Sequence, residues 1–403
     1  MFVGIDWASR AHELCVVDKE GAVLCRFGFA HSERGISEAL ERLAKLAAPV
    51  ELPVAIERPD GLLVGRLLEA GHPVVPIHPN AFHAARPRWE GVGAKSDAGD
   101  AYRLADLLRT DHHRLRALRP LDAATRELQA LVRLRDDHLA ARIAATNQLQ
   151  ALLGQHWPGA AAIFARLDSE IALTFLERYP TPESALRLGE ARLSGFLRRH
   201  AYSGRRSPSE LLERLRAAPQ PVQALDPGVA VALVTAQVRL VRTLLRTIDE
   251  LERAIATALE RHAKAQLLRS LPRIGTVSLG QIAAEVGPIV ERTTSADEAA
   301  ALCGAVPVTK RSGQQRGVCF RHATNAKART ALTRYADNSR HASPWAERIY
   351  REARARGCRH PHAVRILARA WLRVIWACWH TDTPYDPSRR RGRDRRLEPV
   401  TLT

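Results

Sequence analysis

Over residues 1–110, short apolar runs alternate with stretches of helical spacing. Val3–Trp7, Glu13–Asp18 and Ala22–Ala30 carry strand patterns, with a turn at Lys19-Glu20-Gly21 between the second and third. Helical spacing follows at Ile36, Leu40, Leu43 and Ala47. A short buried strand at Val54–Glu57, a helix over Gly61–Ala70 and a strand at Val74–Ile77 come next. Asn80–Arg86 is expected to be helical, and Gly91-Val92-Gly93 a loop before another helix. The resulting β-β-β-α-β-α-β order predicts a mixed sheet flanked by helices.

Two long amphipathic helices are predicted beyond this region. In the first, Leu128, Val132, Leu139, Ile143, Leu149 and Leu153 form an apolar stripe that stops near Gly154 and Pro158. In the second, Val234, Val238, Val241, Leu245, Ile248, Ile255 and Leu259 keep a heptad alternation, interrupted only by the polar Glu252. An antiparallel coiled coil, within or between chains, would bury both stripes. The segment 160–228 between them is helical but broken by Pro180, Pro182, Pro208 and the Pro219–Pro221 region, and reads as an insertion. From about residue 266 the pattern is that of a compact helical domain. Its entry, Leu271-Pro272-Arg273-Ile274-Gly275, resembles a helix-hairpin-helix turn, although such turns usually have glycine where Arg273 stands. There Arg273 and the backbone at Gly275 would face a DNA phosphate; an ordinary helix–helix turn is the alternative.

The chain has 403 residues, enough for two or three domains, and a formal net charge of +18 with most of its 61 basic residues arginine. Arginine's planar fork suits phosphate oxygens, so a polyanionic partner is expected; an arginine-rich proteome would give the same total. The six cysteines form neither a CxxC pair nor zinc spacing, which leaves most of them as small buried residues of a reducing compartment. No apolar run is read as a membrane span and no signal peptide is read at the N-terminus, so a cytoplasmic protein without membrane association is expected.

Against this basic background four carboxylates stand apart. Asp6 ends the apolar Phe2-Val3-Gly4-Ile5, Glu57 ends Pro53-Val54-Ala55-Ile56, and Asp97 and Asp100 lie three apart in Lys95-Ser96-Asp97-Ala98-Gly99-Asp100. At i and i+3 on one helix the last two would face the same way. Like charges gathered together are costly unless a cation neutralises them, and carboxylates from two strands and a helix can hold two Mg²⁺ (or Mn²⁺) ions about 4 Å apart. Each motif alone is common: an aspartate often follows a strand, and Asp-x-x-Asp is often a helix start. Lys95 could help position a phosphate or be simply solvated, and Asp60 is expected to cap the following helix. A second candidate region, residues 299–336, has no acidic residue and contains Lys310-Arg311-Ser312-Gly313-Gln314-Gln315-Arg316. On the residues alone it is a phosphate-contact loop, since no base for Ser312 can be identified. Arg321, Asn325, Lys327 and Arg329 extend its basic surface. Trp371, Trp376 and Trp379 recur at helical spacing and read as core, and six arginines within Arg389–Arg396 read as a solvated nucleic-acid-binding tail.

Gly4-Ile5-Asp6-Trp7-Ala8, Glu57 and Lys95-Ser96-Asp97-Ala98-Gly99-Asp100-Ala101 resemble the DEDD signature of transposases of the insertion-sequence 110 family, and the resemblance extends over essentially the whole chain. It implies a RuvC/RNase H-like domain over residues 1–118 and coiled-coil helices over 119–265 with the insertion at about 160–228. A helical transposase domain over 266–385 and a basic tail over 386–403 would follow. It also implies that Asp6, Glu57, Asp97 and Asp100 are catalytic metal ligands, and that Ser312 is a nucleophile forming a phosphoserine link to DNA. Lys310, Arg311 and Arg316 would flank the phosphate. The expected partners are the DNA of element ends and target, a guiding bridge RNA, and further copies of the chain in a dimer or tetramer. A RuvC-like junction resolvase, a non-enzymatic nucleic-acid scaffold and a sugar-kinase-like fold are the competing readings. The last expects a glycine/threonine phosphate loop where Trp7-Ala8-Ser9-Arg10 stands.

Overall fold

The computed structural model describes residues 1–89, 96–219, 225–312, 315–322 and 324–388. The chain forms two compact units, Met1–Pro120 and Leu121 onward.

The first unit is built on a five-stranded sheet in the order β3-β2-β1-β4-β5. Strands β1 (Phe2–Asp6), β2 (Ala11–Val17) and β3 (Val23–Ala30) are antiparallel neighbours, as the short connections between them require. Helices α1 (Glu33–Ala44) and α2 (Leu62–Glu69) make the crossovers that let β4 (Val54–Ile56) and β5 (Val74–Pro76) run parallel to β1. Helices α3 (Pro79–Ala85) and α4 (Asp97–Asp111) follow. The element order agrees with the pattern of apolar positions and is consistent with a RuvC-like domain. Residues 91–93, expected as a loop, lie outside the described residues.

Strand alternation sorts the sheet into two faces. Val3, Ile5, Leu14, Val16, Val54 and Ile56 pack with Ile36, Leu43, Val64 and Leu67 of α1 and α2. On the opposite face Ala55 packs with Leu104, Leu107 and Leu108 of α4, and Cys15 and Val17 with Ala101 and Ala105. A Cβ on Gly4 would overlap the Ala101 carbonyl oxygen and the Ala105 nitrogen, so helix and strand backbones meet there. The capping expectation for Asp60 fails. Gly61, at φ 108°, begins α2 without a side-chain cap, and Asp60 lies 3.7 Å from Arg58 instead.

The second unit is organised by α5 (Ala123–His156) and α10 (Pro227–Glu260), each 34 residues long. Leu128 and Val132 share one core with Ile255 and Leu259, whereas Leu149 and Leu153 share another with Val234 and Val238. The two helices are therefore antiparallel within one chain. Glu252, the polar interruption in the seam, accepts hydrogen bonds from Arg135 Nε at 2.9 Å and Nη2 at 2.6 Å, which fixes the register. By length and composition alone α10 is apolar enough to cross a membrane; its seam residues Val234, Val238, Val241, Ile248 and Ile255 are buried in the protein.

Helices α6 (Pro158–Ile163), α7 (Glu170–Arg178), α8 (Glu190–Arg199) and α9 (Pro208–Ala217) build the core at one end of this pair. At the other end are α11 (Ala263–Leu268), α12 (Thr276–Gln281), α13 (Gly287–Arg292) and α14 (Ala296–Leu302), with α15 (Ala326–Ser339), α16 (Pro344–Ala355) and α17 (His360–Thr381). A π turn at Ile282–Val286 joins α12 to α13, and its buried Glu285 accepts from Arg133 Nε of α5 at 2.7 Å. Trp371 and Trp379 are buried in this core, as their spacing predicts. All six cysteines are free. The expectation of a purely helical domain needs one correction: β6 (Val308–Ser312) and β7 (Gln315–Cys319) form an antiparallel pair. Their polar sequence has no apolar alternation to announce them; each is defined by its hydrogen-bonded partner. The arginine-rich tail expected from residue 389 lies outside the described residues.

The Gly4 contact gives a direct test. Gly4→Ala should lower unfolding free energy in urea by about 3 kcal/mol or more, because the added methyl meets backbone on both sides and no rotamer relieves it.

Candidate active site

The first unit directs Asp6, Glu57 and the first turn of α4, which carries both Asp97 and Asp100, toward one end of the sheet. Phe2 packs at a tilt against His112 at the end of α4, with ring centroids 5.6 Å apart, while Gly4 meets Ala101 and Ala105 nearer its start. Helix α4 thus runs antiparallel to β1, and its first turn lies toward the end of β1 that carries Asp6. Asp6 alternates with Phe2 and Gly4 and belongs to the face that α4 covers. The parallel register Gly4–Ala55 and Ile5–Ile56, continued one step, sets Glu57 beside Asp6. Arg58 lies over the Trp7 ring at 4.2 Å, so the residues following these two carboxylates clamp the strand ends together.

Helix α4 starts at Ser96, whose Oγ accepts from Gly99 N at 3.1 Å, and places both Asp97 and Asp100 in its first turn. They do not share one environment, contrary to the i, i+3 expectation: Asp97 is exposed, and Asp100 is 5 % exposed. Asp100 Oδ1 accepts from Arg103 at 2.7 Å and Oδ2 from Arg86 at 2.9 Å, so guanidinium groups already supply the cation that its burial demands. Asp6, Glu57 and Asp97 offer only carboxylate oxygen, the donor set of a hard divalent ion such as Mg²⁺ or Mn²⁺. Among the described residues no three His, Cys, Asp or Glu side chains are gathered in metal-holding geometry. Lys95 lies outside the described residues.

One carboxylate escaped the sequence analysis. Glu13 pairs directly with Asp6 across the β1–β2 ladder and shares the face of Cys15 and Val17. Its side chain lies over Gly28, where a Cβ would come within 2.7 Å of Glu13 Oε1. An acidic residue immediately before the apolar run from Leu14 to Val17 was the available signal. His12, beside it, is buried; Ala8 N donates to its Nδ1 at 3.3 Å, and its Nε2 lies 2.7 Å from His31 Nδ1. This chain ties down the loop that follows Asp6. Burial, aided by the charge of His31, pushes the His12 pKa down to about 4.

In the second unit, Ser312 is the last residue of β6 and pairs with Gln315; Arg311 pairs with Arg316 and Lys310 with Gly317. The segment read as a loop is thus a hairpin that brings these positions into one ladder. Arg321 Nε donates to the Val306 carbonyl at 3.4 Å, and Arg329 Nη1 to the Arg321 carbonyl at 3.0 Å, which places both arginines at the hairpin's base. Lys327 is exposed on the first turn of α15. Asn325 has a different part from the expected phosphate contact: its Oδ1 accepts from Ala328 N at 3.0 Å and caps α15. At the turn before α12, Arg273 has φ 54°, the left-handed conformation that favours the glycine missing from its sequence, and Gly275 is the N-cap.

Comparison with known proteins supplies the class. A DEDD transposase model of the IS110 type matches residues 3–158, and a transposase model of the IS116/IS110/IS902 family matches residues 265–351. The chain is 33 % identical over 403 aligned residues to the protein ascribed to IS117 of Streptomyces coelicolor as its mini-circle transposase, with 96 % of each chain covered. It is 28 % identical over 394 residues to the uncharacterized 42 kDa protein of insertion element IS900 of Mycobacterium paratuberculosis, covering 96 % of this chain and 98 % of that one. With the 43.6 kDa protein of insertion element IS110 of S. coelicolor it shares 28 % over 397 residues, covering 96 % and 95 %. A mixed sheet with carboxylates at one end, followed by a helical unit with a basic hairpin, is thus the frame of a DNA transposase. The chain belongs to the IS110 family of transposases.

Arg273→Gly relieves the left-handed strain and should raise thermal stability by about 0.5–1 kcal/mol. His12 has its pKa lowered from 6.5 to about 4, so between these values the unfolded chain binds a proton that the native chain does not. Its contribution is complete above pH 6.5 and is lost as pH falls toward 4. Urea midpoints measured across this window should drop with acid, and less steeply in His12→Asn, whose Oδ1 can still accept from Ala8 N.

Proposed function

We propose that this transposase excises and inserts its own mobile element by site-specific recombination, with Ser312 as the nucleophile and the carboxylates of the first unit as a metal-binding cluster, the two parts of the active site assembling between protomers. The observation that carries the reading is the convergence of Asp6, Glu57 and the first turn of α4 at one end of the sheet, fixed by the β1–β4 register and the Gly4 contact. Asp6, Glu57 and Asp97 would hold Mg²⁺ or Mn²⁺, as the family's DEDD set implies. Asp100 would join them only by releasing Arg86 or Arg103. When bound, such an ion offsets the negative charge that grows on the phosphoryl oxygens.

In the step proposed for Ser312, a bond forms between its Oγ and the scissile phosphorus as one phosphorus–oxygen bond to a DNA sugar breaks. The serine proton passes to solvent, and the departing sugar oxygen takes one up as a hydroxyl. The covalent link conserves the phosphodiester energy until that hydroxyl, or another, attacks to rejoin a strand. Lys310, Arg311, Arg316, Arg321, Lys327 and Arg329 supply positive charge to the backbone phosphates, and Pro272–Gly275 a further contact through Arg273 and the N–H groups at the start of α12. The functional division is residues 1–118, 119–265, 266–385 and a basic tail over 386–403, in a cytoplasmic protein that acts on DNA as a dimer or tetramer, guided by a bridge RNA. The functional contribution of residues 160–228 is structural support for the coiled coil.

Ser312→Ala and Asp6→Asn test the two halves separately. With element-end DNA, flanking RNA and Mg²⁺, the wild-type chain should form a protein–DNA adduct mapping to Ser312. Ser312→Ala should abolish adduct and strand exchange, and Asp6→Asn should lower both at least 100-fold, on the order expected for loss of a central catalytic group. Continued strand cutting by Ser312→Ala would turn the reading into that of a resolvase.

A further inference from the structure

Just beyond β7 the chain presents Phe320, a large apolar side chain left 41 % exposed. Arg329 of α15 and Arg365 of α17 lie over its ring, 4.6 and 5.3 Å from the centroid, and His322 meets it edge-on at 4.9 Å. The ring forms one wall of a cleft of about 450 Å³, completed by Arg334, His360 and Val364 among others. A second hollow of about 420 Å³ shares Pro361 and Arg365 with it and adds Arg356 and Arg359. The acid in the first cleft, Asp337, is engaged by Arg340 at 2.8 Å, and the balance around the ring is strongly positive.

We infer that this cleft takes one unpaired nucleotide of a nucleic acid, its base stacked against Phe320 and its phosphates held by Arg329, Arg334 and Arg365. Phosphate binding alone would account for the arginines but not for a phenyl ring left exposed beside them. An aromatic face flanked by guanidinium groups is a stacking platform that accepts any base and needs that base free of its partner. Bases inside a duplex are stacked on both faces, so the cleft distinguishes an unpaired nucleotide from the interior of a paired strand. Its position also suits this role. Phe320 follows Cys319, which pairs with Val308, and Ser312 stands four residues farther along β6, about 13 Å at the rise of an antiparallel strand. A nucleotide held here is therefore a short distance from the serine, provided the proposed function is right; binding itself does not depend on that reading.

The test uses the full chain and three probes: a duplex with a single bulged 2-aminopurine nucleotide, its RNA counterpart, and the fully paired duplex. Wild type should bind a bulged probe more tightly than the paired one and quench its fluorescence. Phe320→Ala should weaken bulged binding roughly tenfold or more and abolish the quench, with paired-duplex binding unchanged; Phe320→Trp should retain both. The arm that loses more, deoxy or ribo, identifies the strand. Equal weakening of bulged and paired probes by Phe320→Ala, at unchanged melting temperature, would reduce the cleft to a general phosphate surface and overturn the inference, as would no change in either. Failure of the proposed function is recorded separately, by strand cutting in Ser312→Ala.

Discussion

Everything at the carboxylate end of the sheet depends on how closely α4 approaches β1. The first turn of a helix can join residues at a strand end only if the two backbones lie near enough for short aspartate side chains to span the gap. Gly4 provides this, since its missing Cβ is where the Ala101 carbonyl and Ala105 amide run. Ala101 and Ala105 are themselves small, so the strand–helix seam is made of residues with little side chain to keep the elements apart. Around this contact the Arg58–Trp7 stack and the His12–Ala8 hydrogen bond hold the connections that leave β4 and β1. The site is thus positioned by a packing constraint two residues before its first carboxylate, with polar contacts holding the loops beyond.

The charges there are balanced unequally. A buried carboxylate costs several kcal/mol unless its lone pairs are satisfied, and Asp100 meets that requirement with Arg86 and Arg103. Asp97, one turn earlier and exposed, needs no such partner to be stable. The argument that like charges demand a metal therefore does not extend to Asp100. Its burial is a structural fact with a protein solution, and any catalytic part it plays must be taken from those arginines.

Much of this architecture was legible in the sequence because periodicity reports on burial. The strands, α1, α2 and the two long helices followed from where Val, Ile and Leu recur, and the Glu252 interruption was visible as an irregularity whose reason, Arg135, lay 117 residues away. What stayed hidden depended on partners distant in sequence. The β6–β7 hairpin has no apolar face to announce it, Asp100's arginines are set by the fold, and Glu13 becomes notable only once β2 is seen beside β1. Arg273 is instructive in the opposite direction: the residue that weakened the sequence match adopts the backbone conformation of the glycine it replaces.

The antiparallel pair α5–α10 sets the remaining scale. A helix of 34 residues is about 50 Å long. The core containing Leu149, Leu153, Val234 and Val238 and the core containing Leu128, Val132, Ile255 and Leu259 stand toward opposite ends of that rod. Helices α6–α9 build the first of these cores and take no part in the second. Their apolar residues complete the burial of one end of the rod, as α11–α17 do at the other. The register bonds between the two ends, Arg135 to Glu252 and Gln237 to the Ala145 carbonyl, keep the rod from sliding. Because a heptad seam is nearly self-similar along its length, such polar contacts are what select one alignment from several of similar apolar burial. The hairpin and the π turn that carries Glu285 inherit their position from that choice.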